Sequence, residues 1–191
     1  MKWYKELPII YMRGGTSKGA YVDTLDLPTD EKLRDACLLS LYGSPDKRQI
    51  DGIGGADPLT SKVALVGKSS REGVDVDYTF GYVGIDDAVV DYEGNCGNMS
   101  AGVGAFAIMR GIVEAVEPVT VVNIFNTNTS KVIEAHVPVE NGEPLVVGDF
   151  SIDGVPGTAS QIMLYFREPG GSKTGKLLPT GNVRDTITLQ D

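Results

Sequence analysis

The chain has 191 residues, 41% apolar and 23% charged, a composition that excludes disorder as a description of the whole and suffices for one large domain or two small ones. Lysine and arginine total 17 against 26 acids, a net charge of −9, which argues against a nucleic-acid surface and against binding to anionic membranes. A small anionic ligand stays possible, because salt screens distant charge and a few local donors can outweigh it.

Ile9 to Met12 reads as a first strand, and Ala20 to Val22 as a second. Between them, Arg13-Gly14-Gly15-Thr16-Ser17-Lys18-Gly19 sets two glycines between a guanidinium and two hydroxyls. Such a loop offers backbone and side-chain donors together, or is simply a tight hairpin turn. Pro28-Thr29-Asp30 opens a helix with Thr29 as the expected N-cap and Gly43 as its end. Its predicted apolar face is Leu33, Ala36, Cys37 and Leu41, which makes Cys37 a core filler.

The glycine-rich stretch from Asp51 to Pro58 feeds a predicted strand from Leu59 to Val66 that carries Lys62. The Gly-Lys-Ser/Thr of a nucleotide-binding loop is missing and no helix follows, so nucleotide binding is rejected. Val74, Val76, Tyr78, Phe80 and Tyr82 alternate with Asp75, Asp77, Thr79 and Gly81, the clearest strand pattern in the chain. Asp86 to Tyr92 reads as a further short strand. It leads into Gly94-Asn95-Cys96-Gly97-Asn98-Met99-Ser100 and then a helix, Ala101 to Met109, with no polar face. Strands are predicted at Val119 to Phe125, Lys131 to Val137, Leu145 to Val147 and Ile162 to Phe166, with turns at Asn126 to Ser130 and at Asn141-Gly142.

A helix apolar all round must be buried all round, and a curved sheet or barrel is the simplest enclosure. The expected class is therefore α+β, a mainly antiparallel curved sheet around a central apolar helix. Residues 1–167 are expected to form this domain. Residues 168–191 begin with Glu168-Pro169-Gly170-Gly171-Ser172 and read as a linker entering a second domain. The first residues lack a signal-peptide core and no run approaches membrane-spanning length, which points to the cytoplasm. In that compartment the Asn-X-Ser triplets at Asn98 and Asn128 carry no meaning for glycosylation.

Cys96 stands where the apolar helix starts. Free N–H groups and the positive end of the macrodipole there stabilise a thiolate, or hold a carboxylate. The two cysteines, Cys37 and Cys96, are too far apart in sequence to suggest a disulfide framework or a zinc site, so no metal is expected. The lone His136 removes histidine triads, and with them acyl transfer of the papain type. A thiolate can instead carry a proton. Lys62 is the best candidate for a second acid/base, with Arg13, Thr16, Ser17 and the N–H groups of Gly97 and Asn98 stabilising charge on a carboxylate substrate. Two other readings stand beside this one. An amino-acid racemase or epimerase would want a second thiol, which only Cys37 could supply. A non-catalytic carboxylate-binding or oligomerisation module would need neither acid nor base.

Four stretches carry a resemblance: Tyr11 to Gly19, Asp51 to Gly55, Leu59 to Ala64, and Gly94 to Ser100; Leu177-Leu178-Pro179-Thr180-Gly181-Asn182 adds to it. In that order they resemble the PrpF family, over what would be the first half of a typical member. The resemblance implies a diaminopimelate-epimerase-like fold and a cofactor-independent isomerase that shifts an allylic proton on an unsaturated di- or tricarboxylate. It puts the acid/base pair on Cys96 and Lys62. Substrate-binding groups fall on Arg13, Gly15, Thr16, Ser17, Ser61, Asn95, Gly97 and Asn98, with Asn126 and Asn128 lining the site. The implied partner is a small carboxylate, with neither nucleic acid nor membrane, and a homo-oligomer is possible.

Overall fold

The computed structural model describes residues 6–168, 170–171 and 174–188. The start of the chain, parts of the expected linker and the last three residues lie outside the described residues. Among the described residues, nine strands form one mixed sheet around a central helix. In chain order, β1 (Ile9–Gly14) and β2 (Ser17–Asp23) make a hairpin, followed by helix α1 (Glu31–Tyr42). Strands β3 (Lys62–Lys68), β4 (Val76–Val83) and the two-residue β5 (Val90–Asp91) lead to helix α2 (Gly97–Met109). Strands β6 (Val119–Asn126), β7 (Lys131–Glu140), β8 (Glu143–Pro144) and β9 (Met163–Phe166) complete the sheet.

The sheet runs β1-β2-β3-β4-β6-β7-β8, with β5 on β4 and β9 on β7. Most pairs are antiparallel, but β2 with β3 and β4 with β6 are parallel. Helix α2 packs against β1, β2, β3, β4, β6, β7 and β8, which a flat sheet could not arrange, so the sheet curls round the helix. The expected enclosure of the apolar helix is present.

Small residues make that enclosure tight. A Cβ on Gly102 would sit 2.6 Å from the Tyr21 ring, and one on Gly104 would sit 2.8 Å from Val137. The strands thus approach where α2 is thinnest, while Met99, Val103 and Phe106 fill the remaining space and are wholly buried.

Several expected elements differ. Asp30, not Thr29, is the N-cap of α1, its carboxylate accepting from the Leu33 N–H at 3.0 Å. Cys37 is exposed and Leu33 is 56% exposed, whereas Leu38 and Tyr42 are fully buried. The helix is rotated so that this i, i+4 pair, with Leu39 and Leu41 beside it, faces the sheet. Strand β3 starts three residues later than expected, because Asp57 draws the Leu59 and Thr60 N–H groups into a turn. Asp86 to Val89 is also turn, leaving only Val90 and Asp91 as strand. Leu145 to Val147 forms no strand: β8 ends at Pro144, and Val146 and Val147 lie 76% and 80% exposed. His136 is structural, sharing a hydrogen bond with Glu134 and its ring packing on Tyr165. The 174–188 segment contributes no helix or strand, and Val183 is 95% exposed.

The rotation of α1 is open to a direct check. Leu38→Ala should cost about 2–5 kcal/mol and Leu33→Ala no more than about 0.5 kcal/mol in urea unfolding. The reverse order would restore the face anticipated from sequence. Burial also pushes the phenols of Tyr21, Tyr42 and Tyr78 well above the ordinary tyrosine range. The folded state therefore holds their protons to higher pH than the unfolded chain does. Stability from this source is complete below about pH 10 and is lost as pH climbs beyond it, which unfolding free energies measured between pH 8 and pH 11.5 would follow.

Candidate active site

Three elements begin at one rim of the sheet, and their first residues meet. Ser17 opens β2, Lys62 opens β3, and Cys96 is the N-cap of α2. Because β2 and β3 are parallel, with Gly19 opposite Lys62, their N-terminal ends point the same way. A Cβ on Gly19 would collide with the Lys62 carbonyl, so the absence of a side chain lets the strands close there. The Lys62 ammonium donates to Ser17 Oγ at 2.8 Å and to Cys96 Sγ at 3.5 Å, and Ser17 Oγ lies 3.9 Å from the same sulfur. Ser17 and Cys96 are 1% and 9% exposed. No carboxylate lies within ion-pair distance of Lys62 among the described residues.

The helix start adds its own field. Cys96 is extended (φ −132°, ψ 103°) and its side chain accepts no bond from the first turn. The leading N–H groups of α2 are thus not consumed by their cap residue, and they point their partial positive charge at the rim. Ser100, buried one turn on, donates to the Cys96 carbonyl at 3.1 Å and anchors the cap.

The Arg13–Ser17 turn lies against this end of the helix. Gly15 has φ +51°, and a Cβ there would strike the Asn98 side chain. The Asn98 amide donates to Thr16 Oγ1 at 3.0 Å, tying the turn to the first turn of α2. Arg13 is exposed and one of its terminal nitrogens donates to the Gly15 carbonyl at 2.7 Å.

Other expected site residues stand a layer back. The wholly buried Ser61 hydroxyl donates to the Val83 carbonyl at 2.6 Å and accepts from Gln49 Nε2 at 2.8 Å. Asn126, also fully buried, donates to Asn95 Oδ1 at 2.7 Å and accepts from the Thr129 N–H at 3.0 Å, bracing the loop before Cys96. Asn128 spends its amide on the Phe80 N–H, the Phe80 carbonyl and the Tyr92 carbonyl. Sequence reasoning did not single out Gln49 or Tyr42, whose hydroxyl contacts the Lys62 carbonyl. Nothing in local sequence marks either one, since their partners are distant along the chain. Among the described residues no cluster of three His, Cys, Asp or Glu side chains could hold a metal ion. No helix among them is long and apolar enough to cross a membrane.

The PrpF protein family model matches residues 4–191. The chain belongs to the PrpF family. It is 57% identical over 182 residues to a 3-methylitaconate isomerase of Eubacterium barkeri, an alignment covering 95% of this chain and 48% of that protein. It is 53% identical over 181 residues to a 4-oxalomesaconate tautomerase of Pseudomonas putida, covering 95% of this chain and 50% of that one. The crystal structure of a methylitaconate-delta-isomerase superposes with a TM-score of 0.88 at 57% identity, over 95% of this chain and 47% of that chain. A hydroxyproline epimerase from Agrobacterium vitis superposes at 0.51 with 17% identity, over 76% of this chain and 41% of that one, a likeness of fold alone. The fold is thus the diaminopimelate-epimerase-like one. This chain spans about half the length of the curated relatives it matches.

The packing of Gly15 on Asn98 can be separated from its backbone geometry. Gly15→Ala and Gly73→Ala both place alanine at positive φ, but only Gly15 has a neighbour in the way. Each should lose about 1–2 kcal/mol from the backbone term, and Gly15→Ala measurably more, as read from urea midpoints.

Proposed function

We propose that the chain forms half of a cofactor-independent isomerase, in which Cys96 and Lys62 move an allylic proton on an unsaturated di- or tricarboxylate. A substrate of the 3-methylitaconate or 2-methylaconitate kind is favoured by the identities of the relatives. The observation that carries the reading is the contact of the Lys62 ammonium with Cys96 Sγ and Ser17 Oγ at a helix N-terminus.

Abstracting a proton beside a carboxylate builds charge on a group that is already anionic, so the site must offer fixed donors to it. The N–H groups of Gly97 and Asn98 are suited to one carboxylate, and the Arg13–Ser17 turn supplies further donors beside them. One member of the Cys96–Lys62 pair accepts the proton from carbon while the other returns one to the far end of the allylic system, and the double bond moves between them. Atoms balance without redox change, and no oxidant or organic cofactor is called for. Ser17, touching both groups, keeps them apart from bulk water and in register. Ser61, Asn95, Asn126 and Asn128 support the walls rather than the reacting atoms. An amino-acid racemase gains nothing from Cys37, which lies exposed on α1.

In this reading residues 1–167 are the first domain, and residues 168–191 lead into a second that closes the site and selects the acid. Both proton carriers already belong to the first half. The enzyme works in the cytoplasm.

Cys96→Ala and Lys62→Ala in the protein expressed from its complete gene should each lower turnover of 3-methylitaconate by about 100- to 10,000-fold, followed by ultraviolet absorbance of the conjugated product. Deuterium should enter the product in heavy water, and its exclusion would point instead to rotation about the double bond. Full activity in both variants would sink the mechanism.

A further inference from the structure

We propose that Tyr42 is a positioning residue for Lys62, acting on its peptide group rather than on its ammonium; this rests on the reading of Lys62 as a proton carrier. Tyr42 is the last residue of α1 and is wholly buried. Its hydroxyl accepts from the Ala20 N–H at 2.9 Å and donates to the Lys62 carbonyl. One oxygen therefore joins β2 to β3 at the place where their parallel ladder begins.

The need for such a brace follows from where Lys62 stands. Lys62 is the first residue of β3, where its pairing with Gly19 and with Tyr82 begins, and strand ends are where local opening is least costly. From that position the ammonium must span a flexible four-carbon stem to hold Ser17 at 2.8 Å and Cys96 at 3.5 Å. The preceding residue is held as well. Gln49, 1% exposed, donates to Ser61 Oγ at 2.8 Å while its amide oxygen takes the Ala56 N–H at 2.9 Å. The peptide is thus gripped on both sides of Lys62 by groups from α1 and the loop after it. Neither Tyr42 nor Gln49 makes a hydrogen bond to Ser17 or Cys96 among the described residues. Their link to the chemistry runs through the main chain of Lys62.

Burial of the phenol supports the same role. Burial holds the Tyr42 proton to pH values above the usual tyrosine range, outweighing the Ala20 N–H bond, which acts in the other direction, so the hydroxyl keeps donating over the ordinary pH range. A Tyr42→Phe variant keeps the ring and removes only the oxygen. Misplacement of a reacting group by about 1 Å can cost about 100-fold in rate, and the loss of a brace one bond removed should cost about tenfold.

The test uses the protein expressed from its complete gene, with 3-methylitaconate as the probe and deuterium wash-in as the readout. Tyr42→Phe should lower kcat about tenfold and leave KM within about twofold. Leu38→Ala loosens the same helix without reaching the Lys62 carbonyl. Assayed well below its own unfolding midpoint, it should keep the parental kcat. A folded Tyr42→Phe protein with parental kcat, or an equal loss of kcat in Leu38→Ala, overturns the proposal. If Tyr42→Phe does not fold, Gln49→Met removes the brace at Ser61: a fall in kcat at steady KM supports the proposal, and an unchanged kcat overturns it. Lys62→Ala is run beside them. Parental turnover in that variant would remove the reading of Lys62 itself, whereas its loss together with an active Tyr42→Phe would remove only the role of Tyr42.

Discussion

The 13 residues of α2 offer water almost nothing on any side, so this helix can exist only where a sheet closes round it. Its glycines and alanines set how close the strands come, and its few large side chains set where they cannot. The direction of the helix matters as much as its burial. Its start must emerge where the leading N–H groups can meet water, a ligand or a neighbouring loop, because burying them without partners would cost more than the helix gains. The rim of the sheet at the Arg13–Ser17 turn is that place.

Parallel pairing explains why Ser17 and Lys62 meet there. In a purely antiparallel meander, neighbouring strands start at opposite ends, and Ser17 and Lys62 would be separated by a strand length. The parallel pair β2 and β3 puts both starts at one rim. The long connection that a parallel pair requires is used to build α1 and the Gln49-to-Ala56 loop. That connection then returns to hold the Lys62 peptide from behind. One topological choice therefore supplies both the convergence of the site and its support.

Much of this was legible in the residues, for identifiable reasons. The all-apolar stretch after Cys96 dictated a buried helix, and the alternation from Val74 to Tyr82 dictated a strand with one wet face. The thiol at the helix start, the lysine near the start of a strand and the serine after two glycines were each visible as local patterns. Their meeting was not visible, since it depends on strand direction. Helix α1 misled because it carries two competing i, i+4 stripes. Leu33 and Cys37 form one, and Leu38 and Tyr42 form the other. Tertiary bonds of the Tyr42 hydroxyl to Ala20 and Lys62 favour the second, and no helical periodicity contains that information. Val146 and Val147 misled in a simpler way. Their β-branching suits a strand, but the pairing with β7 stops before them: the Leu145 N–H reaches the Pro138 carbonyl, and Pro138 has no N–H to return the bond.

The net charge of the chain opposes an anionic ligand, yet its distribution favours one. Several acids are already engaged: Asp77 with Arg71, Asp26 with Arg110, and Glu134 with Arg167 and His136. These pairs lie away from the rim. Lys62 differs from the arginines in those pairs, because its ammonium touches a hydroxyl and a thiol instead of a carboxylate. At a separation of 4 Å even a partly screened pair of unit charges is worth about 4 kcal/mol, while charges beyond about 10 Å are largely cancelled by salt. The local ammonium and the helix start therefore decide what the rim attracts, and the remaining acids of the net −9 charge do not. A half-buried cation without an anionic partner is costly to maintain for stability alone. Its cost falls when a carboxylate arrives beside it, so the same local field that is expensive on its own favours an anionic ligand.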